Sequence, residues 1–333
     1  MHYAYVRHLV ERAWLPPLTG YGGRNPAQHE TSQPPLYYVT AALLTFWAPD
    51  QGDYATLLER NPHFAYPSPL TVPDNKNVWL HTLAEDLPGH GTVLAIRLTR
   101  SVSLLFGALG VVATWGLGRQ LWPSSDWLPL LAAGVTGFIP QFLFMSGVVT
   151  NDTAAMGLSA CVLWGVASIA RTTSPERASK RSVNMPRMLL TGLLLGLSAL
   201  TKVSTLGLVP LVILFLIAIR RQGQLGWRAT LVRMGCVLGV AALVGGWWYA
   251  RNWALYGSPL NLQVHQAAPW AREGRRPLRA ALAQLIGVEW SLWGMFGTGN
   301  VGFPDGVYTA FRAGWLLALA GWAISRWISG QSP

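Results

Sequence analysis

Residues 127–170 read WLPLLAAGVTGFIPQFLFMSGVVTNDTAAMGLSACVLWGVASIA, and Asp152 is the only charged side chain among these 44 residues. As one helix the stretch would run about 66 Å, against a bilayer hydrocarbon core of about 30 Å. It therefore reads as two membrane passes, with Thr150-Asn151-Asp152-Thr153 as the turn between them. A carboxylate at the bilayer centre costs at least about 2.5–3.5 kcal/mol. A turn puts Asp152 at a membrane surface instead.

The same arithmetic extends in both directions. Residues 188–219 hold one charge, Lys202, in 32 apolar residues, which predicts two short passes meeting at Lys202. The expected passes are about 101–117, 127–149, 153–170, 188–201, 203–219, 234–250 and 307–325. Pro35 to Trp47 is apolar over only 13 residues and reads as an interfacial helix. The expected fold is an all-α polytopic membrane protein with about seven transmembrane helices, plus interfacial helices in a large extracytoplasmic N-terminal loop. Residues 1–95 form that loop, 96–250 the transmembrane core, and 251–306 a second outer segment with a re-entrant helix. Residues 307–333 supply the last pass and a cytoplasmic tail.

Composition agrees. Of 333 residues, 51% are hydrophobic, 12% are charged and 17 are Trp, whose ring favours the membrane–water boundary. The net charge of +11 does not describe a nucleic-acid surface. Eight of the 14 acids lie in the first 90 residues beside five bases, whereas later bases gather in short loops between apolar runs. Loops 171–187 (five bases, one acid) and 220–233 (four bases, no acid) read as cytoplasmic. Alternation then places Asp152, Lys202, Arg251-Asn252 and residues 1–95 on the opposite face of an inner or plasma membrane. Cys161 and Cys236 lie inside apolar runs and imply no disulfide. The start, Met1–His8, is polar and aromatic and lacks the apolar run of a signal peptide.

Three expected hairpin tips thus present polar groups to one face: Asn151-Asp152, Lys202 and Arg251-Asn252. The first loop adds His29-Glu30-Thr31-Ser32-Gln33 before Pro34-Pro35. A carboxylate and two cations converging there suit a phosphate-bearing lipid substrate: Lys202 or Arg251 would hold the phosphate, and a carboxylate would accept a proton. Each group also has a plain structural reading. Asp152 caps a helix, Lys202 snorkels to headgroups, Arg251 is an interfacial anchor, and Glu30 is a solvated loop charge. Asp152, Glu30 and His29 offer ligands for a divalent cation, but at a spacing that is no metal signature.

The order of these pieces resembles the GT-C fold membrane glycosyltransferases, in the branch related to protein O-mannosyltransferases and lipid A aminoarabinose transferases. His29-Glu30-Thr31-Ser32-Gln33-Pro34-Pro35-Leu36-Tyr37-Tyr38 is similar to their first outer loop. Pro140-Gln141-Phe142 through Asn151-Asp152 is similar to their third pass and second outer loop, and Leu200-Thr201-Lys202 to a turn between two short passes. Trp247-Trp248-Tyr249-Ala250-Arg251-Asn252, Trp293-Gly294-Met295-Phe296-Gly297 and Asp74-Asn75-Lys76-Asn77 with His81 are similar to stretches of uncharacterised bacterial relatives.

The resemblance implies transfer of a hexosyl or pentosyl group from a polyprenyl-phosphate donor to a hydroxyl of a lipid, glycan or protein acceptor. It places Asp152 and Glu30 at the catalytic centre and Lys202 and Arg251 on the donor phosphate. His2, His29, Gln33, Asn151, Asn252, Lys76 and His81 would line the substrate cavity. The family's first outer loop begins with an acidic pair ahead of a His-plus-aromatic stretch. Here His2-Tyr3-Ala4-Tyr5 opens the chain, so truncation at the N-terminus and an inactive isolated chain are the expectation. The rival classes are a non-catalytic membrane partner and a lipid or solute transporter.

Overall fold

The computed structural model describes residues 1–50, 57–62, 64, 78–86, 89–172, 185–220, 226–268, 271, 274, 277–297 and 299–329. The chain divides into two compact units. The first comprises Met1–Gly52, Leu87–Phe138 and Met145–Glu273; the second comprises Asp53–Asp86, Ile139–Phe144 and Gly274–Pro333.

The helices of the first unit are α1 (His2–Arg12), α2 (Leu36–Thr45), α3 (Gly91–Leu121), α4 (Trp127–Phe138), α6 (Asp152–Thr172), α7 (Met185–Ala199), α8 (Leu208–Ile219), α9 (Trp227–Tyr256) and α10 (Leu262–Gln266). The short α5 (Pro140–Ser146) follows α4 after a break at Ile139. In the second unit α11 (Leu278–Trp293) and α12 (Asp305–Ser329) are the long elements. Among the described residues four helices, within α3, α6, α9 and α12, are long and apolar enough to cross a membrane, and the broken pair α4–α5 makes a fifth if counted as one span. Among the described residues, strands are confined to two two-stranded ladders. This is the makeup of an all-α membrane protein.

The packing shows why these sequences associate. Helix α3 lies against α6 and α4, α6 against α7, and α7 against α9. The buried face of α3 is built from small residues, Ala95, Thr99, Ser103, Gly107, Gly110 and Ala113, three or four apart. In a bilayer, helices gain little from hiding apolar surface from lipid, so close backbone approach and polar contacts must hold them together. A Cβ on Gly157 of α6 would sit 2.5 Å from the carbonyl oxygen of Phe106 on α3. Between α6, α7, α8 and α9 the core is aliphatic, centred on Val162, Val166, Met188, Leu195, Val212, Leu216 and Val237. The outward faces carry exposed Leu104, Leu105, Val112, Leu189, Leu214 and Leu243, surface suited to hydrocarbon rather than water.

Several helix bounds depart from the expectation. The pass expected over 127–149 is interrupted at Ile139, because Pro140 lacks an N–H and its ring clashes one turn back. Helix α9 runs past 250 to Tyr256, where Gly257 takes the left-handed conformation (φ 68°) that ends it. Arg251-Asn252 is therefore inside a helix and not at a hairpin tip. Helix α3 begins at Gly91, ten residues before the expected pass at 101, since the Arg97 and Arg100 stems extend a helix as well as apolar residues do. Residues 2–12, with no expected element, form α1, whose Tyr5 ring stacks on Tyr38 of α2 at 4.0 Å.

In the second unit α11 and α12 are joined through the antiparallel pairs Met295↔Gly302 and Phe296↔Val301. The aromatic pairs Trp290–Tyr308 (4.8 Å) and Trp293–Phe311 (4.5 Å) stack between the two helices, and Arg312 forks onto Glu289.

Candidate functional site

The polar groups of the first unit gather around the start of α2. The segment before it is a 3-10 turn, Gln28–Ser32, followed by the extended Gln33 and Pro34. Pro35 has no N–H to offer, and the next amide, Leu36 N–H, donates to the Leu200 carbonyl at 2.8 Å. That bond ties the first loop to the turn that carries Lys202. On the other side of the turn, the Asn151 side-chain amide donates to the Thr201 carbonyl at 2.9 Å. Asn151 is 1% exposed, so it holds the turn in place and is not open to a ligand. Tyr249 on α9 donates its hydroxyl to the neighbouring Ala199 carbonyl at 2.7 Å. Three consecutive carbonyls at the end of α7 are thus used by three different elements.

On this frame Lys202 and Asp152 form an ion pair through Asp152 Oδ1. The second oxygen, Oδ2, accepts the Thr150 hydroxyl at 3.1 Å, and the Asp152 amide donates to Thr150 Oγ1 at 3.2 Å. Asp152 occupies the first turn of α6, where the helix dipole favours an anion. Both partners are about one-third exposed, 31% and 33%, so the pair remains open to a solute.

Beside it lies a buried cluster around Glu30. Its Oε1 faces His29 Nε2 at 3.2 Å, and its Oε2 accepts the Tyr38 hydroxyl at 3.1 Å and faces His2 Nδ1 at 3.4 Å. His2 Nδ1 also lies 2.8 Å from the Tyr38 oxygen. Burial alone would raise the Glu30 carboxyl; the His29 hydrogen bond, the neighbouring His2 and His29 rings and the Tyr38 hydroxyl outweigh it and bring the pKa down to about 2. Burial lowers His2, and the charges of Asp152 and Lys202 also reach its ring, which places both groups of the site around one imidazole. Glu30 is therefore a buried, fully engaged carboxylate and not the solvated loop charge of the plain reading.

One contributor carries no sequence signal. His265, in α10, sets its Nε2 3.0 Å from Ser32 Oγ and its ring edge-on to His29 at 5.8 Å. A lone His 233 residues downstream of Ser32 has no local pattern to mark it; only the fold brings it here.

The other sequence candidates are placed as follows. Arg251 lies over the Trp248 and Tyr256 rings, 5.3 and 5.8 Å from their centroids, and donates to Asn252 Oδ1 at 3.2 Å. That is the packing of an aromatic-bound anchor, unlike Lys202, whose ammonium meets a carboxylate. Asn252 is buried and donates to the Pro259 carbonyl at 3.4 Å. Gln33 is buried, and its Oε1 finds no partner among the described residues. His81 belongs to the second unit, where it is exposed and pairs with Glu85 at 2.9 Å. Lys76 lies outside the described residues, as does most of the basic loop 171–187. Among the described residues no group of three or more His, Cys, Asp or Glu side chains is arranged to hold a metal ion.

The cluster carries a pH signature. Glu30 titrates near 4.5 when unfolded and near 2 when folded, so its stabilisation is full above the first value and lost as pH falls toward the second. His2 has a folded pKa below its ordinary 6.5, so acid removes stability there too, starting at higher pH. The unfolding free energy is expected to decline below about pH 6.5 and more steeply below about 4.5, by about 3 kcal/mol in all from Glu30 alone. Glu30→Gln should abolish the steeper part. An unfolding free energy that stays level from pH 5 to pH 3, to within about 0.5 kcal/mol, rules out the clamp on Glu30.

No protein-family model, curated protein or solved structure matches the chain. The chemistry of the site is therefore read from the site itself. It offers an accessible ammonium, two carboxylates and three imidazoles within one polar region at the ends of apolar helices.

Proposed function

We propose that the chain is a glycosyltransferase of GT-C type that moves a sugar from a polyprenyl-phosphate donor to an acceptor hydroxyl on the extracytoplasmic face of an inner or plasma membrane. The observation that carries the reading is the Lys202–Asp152 pair, about one-third exposed, set beside the Glu30–His2 cluster. Segments far apart in sequence converge on one anion-binding, proton-handling site, and they are the segments through which the chain resembles that family.

The chemistry fits the residues. The acceptor oxygen bonds to the anomeric carbon while the bond from that carbon to the phosphate oxygen breaks. The leaving lipid phosphate takes the electron pair, and Lys202 neutralises it. The acceptor proton passes to a base of the cluster. Carboxylates near the anomeric centre favour the positive charge that develops there.

Seven passes follow if the broken α4–α5 pair and the shorter apolar α7 and α8 each cross once beside the four long helices. The basic loops orient them with the site outward. A transporter is the second reading, favoured by the interrupted helix at Ile139, since transporters build their sites from broken helices.

Two measurements test the proposal. Protein in lipid nanodiscs is offered polyprenyl-phosphate hexoses and pentoses with an acceptor mixture, and release of free polyprenyl phosphate is followed. Release that depends on acceptor supports transfer, and counterflow of the lipid without release supports transport. In a background lacking Cys161 and Cys236, cysteine at 152 or 202 should react with an impermeant maleimide from the extracytoplasmic side only. Reaction from the cytoplasmic side alone overturns the orientation and the reading with it.

A further inference from the structure

Glu30 is the obvious proton acceptor, and its surroundings disqualify it. It is 8% exposed, and both oxygens are occupied, by His29 on one side and by Tyr38 and His2 on the other. A carboxyl held near pKa 2 also has little affinity for a proton at neutral pH. Asp152 is no better placed, because Lys202 and the Thr150 hydroxyl take its two oxygens and protonation would break the ion pair. Of the imidazoles, His29 turns its Nε2 to Glu30 and His265 turns its Nε2 to Ser32, which leaves the His2 ring.

Counting protons fixes the state of that ring. The Tyr38 hydroxyl has one proton, and it donates it to Glu30 Oε2. The Tyr38 oxygen is then an acceptor toward His2 Nδ1, 2.8 Å away, so Nδ1 must carry the hydrogen. Neutral His2 is left with an unprotonated Nε2. Every hydrogen bond of the ring is made through Nδ1. Its side chain is 27% exposed, and Nε2 is not among the buried atoms that lack a partner, so Nε2 faces the accessible side.

We propose that His2 Nε2 is the proton acceptor of the transfer, with Tyr38 and Glu30 as the positioning residues that hold its tautomer and stabilise the imidazolium. The proposal rests on the transferase reading. In the step, the acceptor O–H bond breaks as the new oxygen–carbon bond forms. The proton goes to His2 Nε2, and the electron pair of the breaking carbon–oxygen bond leaves with the lipid phosphate. The positive charge formed on His2 is met through Tyr38 by the anion of Glu30. The arrangement is a carboxylate, a hydroxyl and an imidazole in series, with the imidazole at the open end.

Two readouts test it separately. In protein with labelled histidine, assigned by comparison with His2→Asn, the ¹⁵N shifts of the His2 ring should show Nδ1–H and a bare Nε2 at neutral pH. Glu30→Gln, which removes the anion, should move the ring toward the Nε2–H form. Parent protein in the Nε2–H form overturns the assignment whatever the activity. In the transfer assay, His2→Asn keeps a donor near the position of Nδ1 but has no base. It should lower kcat about 100- to 10,000-fold, with KM for the donor little changed. If the parent transfers sugar and His2→Asn keeps more than a tenth of its kcat, the role of His2 falls and the transferase reading stands. If the parent neither binds polyprenyl phosphate nor releases it under any donor, the reading falls and takes this role with it.

Discussion

Lys202→Met is expected to weaken binding of a polyprenyl-phosphate donor about ten- to a hundredfold, because a charged hydrogen bond is worth about 1.5–3 kcal/mol. An ammonium has three N–H donors, and Asp152 Oδ1 takes one. The side chain is 31% exposed, so the others can reach a phosphate without displacing Asp152. Met keeps the apolar stem and loses only the charge. The folding cost should stay below about 1 kcal/mol, as for other solvent-exposed pairs. Asp152 keeps its Thr150 contacts and the favourable end of α6. Titration of polyprenyl phosphate into parent and variant in nanodiscs measures the ratio. Equal affinities would mean that Lys202 only anchors its turn at the headgroups. Asp152→Asn is the control: it removes the competing carboxylate, and affinity should not fall.

Gly192→Leu is expected to cost about 3 kcal/mol or more, the upper end of overpacking penalties. Gly192 and Gly196, one turn apart on α7, face α9 where no side chain fits. A Cβ at 192 would lie 2.6 Å from the Val237 carbonyl oxygen, and one at 196 would lie 2.9 Å from that of Ala241. Gly245 returns the contact from α9, with its Cβ direction 2.8 Å from the Gly196 carbonyl oxygen. The two backbones touch, as small residues four apart allow in membrane helices. Because α7 ends in the turn that carries Lys202, separating it from α9 should loosen the ion pair as well. Gly239→Leu, on the same helix α9 but with open space around it, should be near neutral. Unfolding in a denaturing detergent compares the two. Equal stabilities would show that the α7–α9 contact does not hold the fold together.

The sequence shows much of the frame and less of the site. The turns at Asn151-Asp152 and Lys202 are legible because a charge inside an apolar run longer than a bilayer allows only one placement. The break at Pro140 is legible in principle, since Pro obstructs the turn before it, but hydropathy averages over it. The extension of α9 to Tyr256 is hidden by Arg251, which looks like the end of an apolar run although nothing there stops a helix before Gly257. Within the site, sequence suggests that Asp152 and Lys202 share a face. It does not suggest that they pair, because that depends on a 50-residue separation closing to contact. The engagement of Glu30 by His2, His29 and Tyr38, and the arrival of His265, depend on tertiary approach alone. Helix α1 has no legible pattern because its residues are mixed, and its order comes from the docking of Tyr5 and Val6, both 1% exposed or less.

The Leu200 carbonyl that receives the Leu36 amide also sets a schedule for biosynthesis. A chain grows by about 5–20 residues per second, so Leu36 emerges roughly 8–30 s before its partner exists. Ser32 waits longer, since His265 is 233 residues further on. During that interval Glu30 already has His2, His29 and Tyr38 nearby, but the stretch around it lacks the Leu200 carbonyl and the His265 ring, with the apolar face of α2 held near the insertion machinery. Early misfolding should therefore concentrate there. A stalled chain ending near residue 190 should leave the Ser32–Leu36 stretch open to proteases and chaperones, and one extended past residue 265 should protect it.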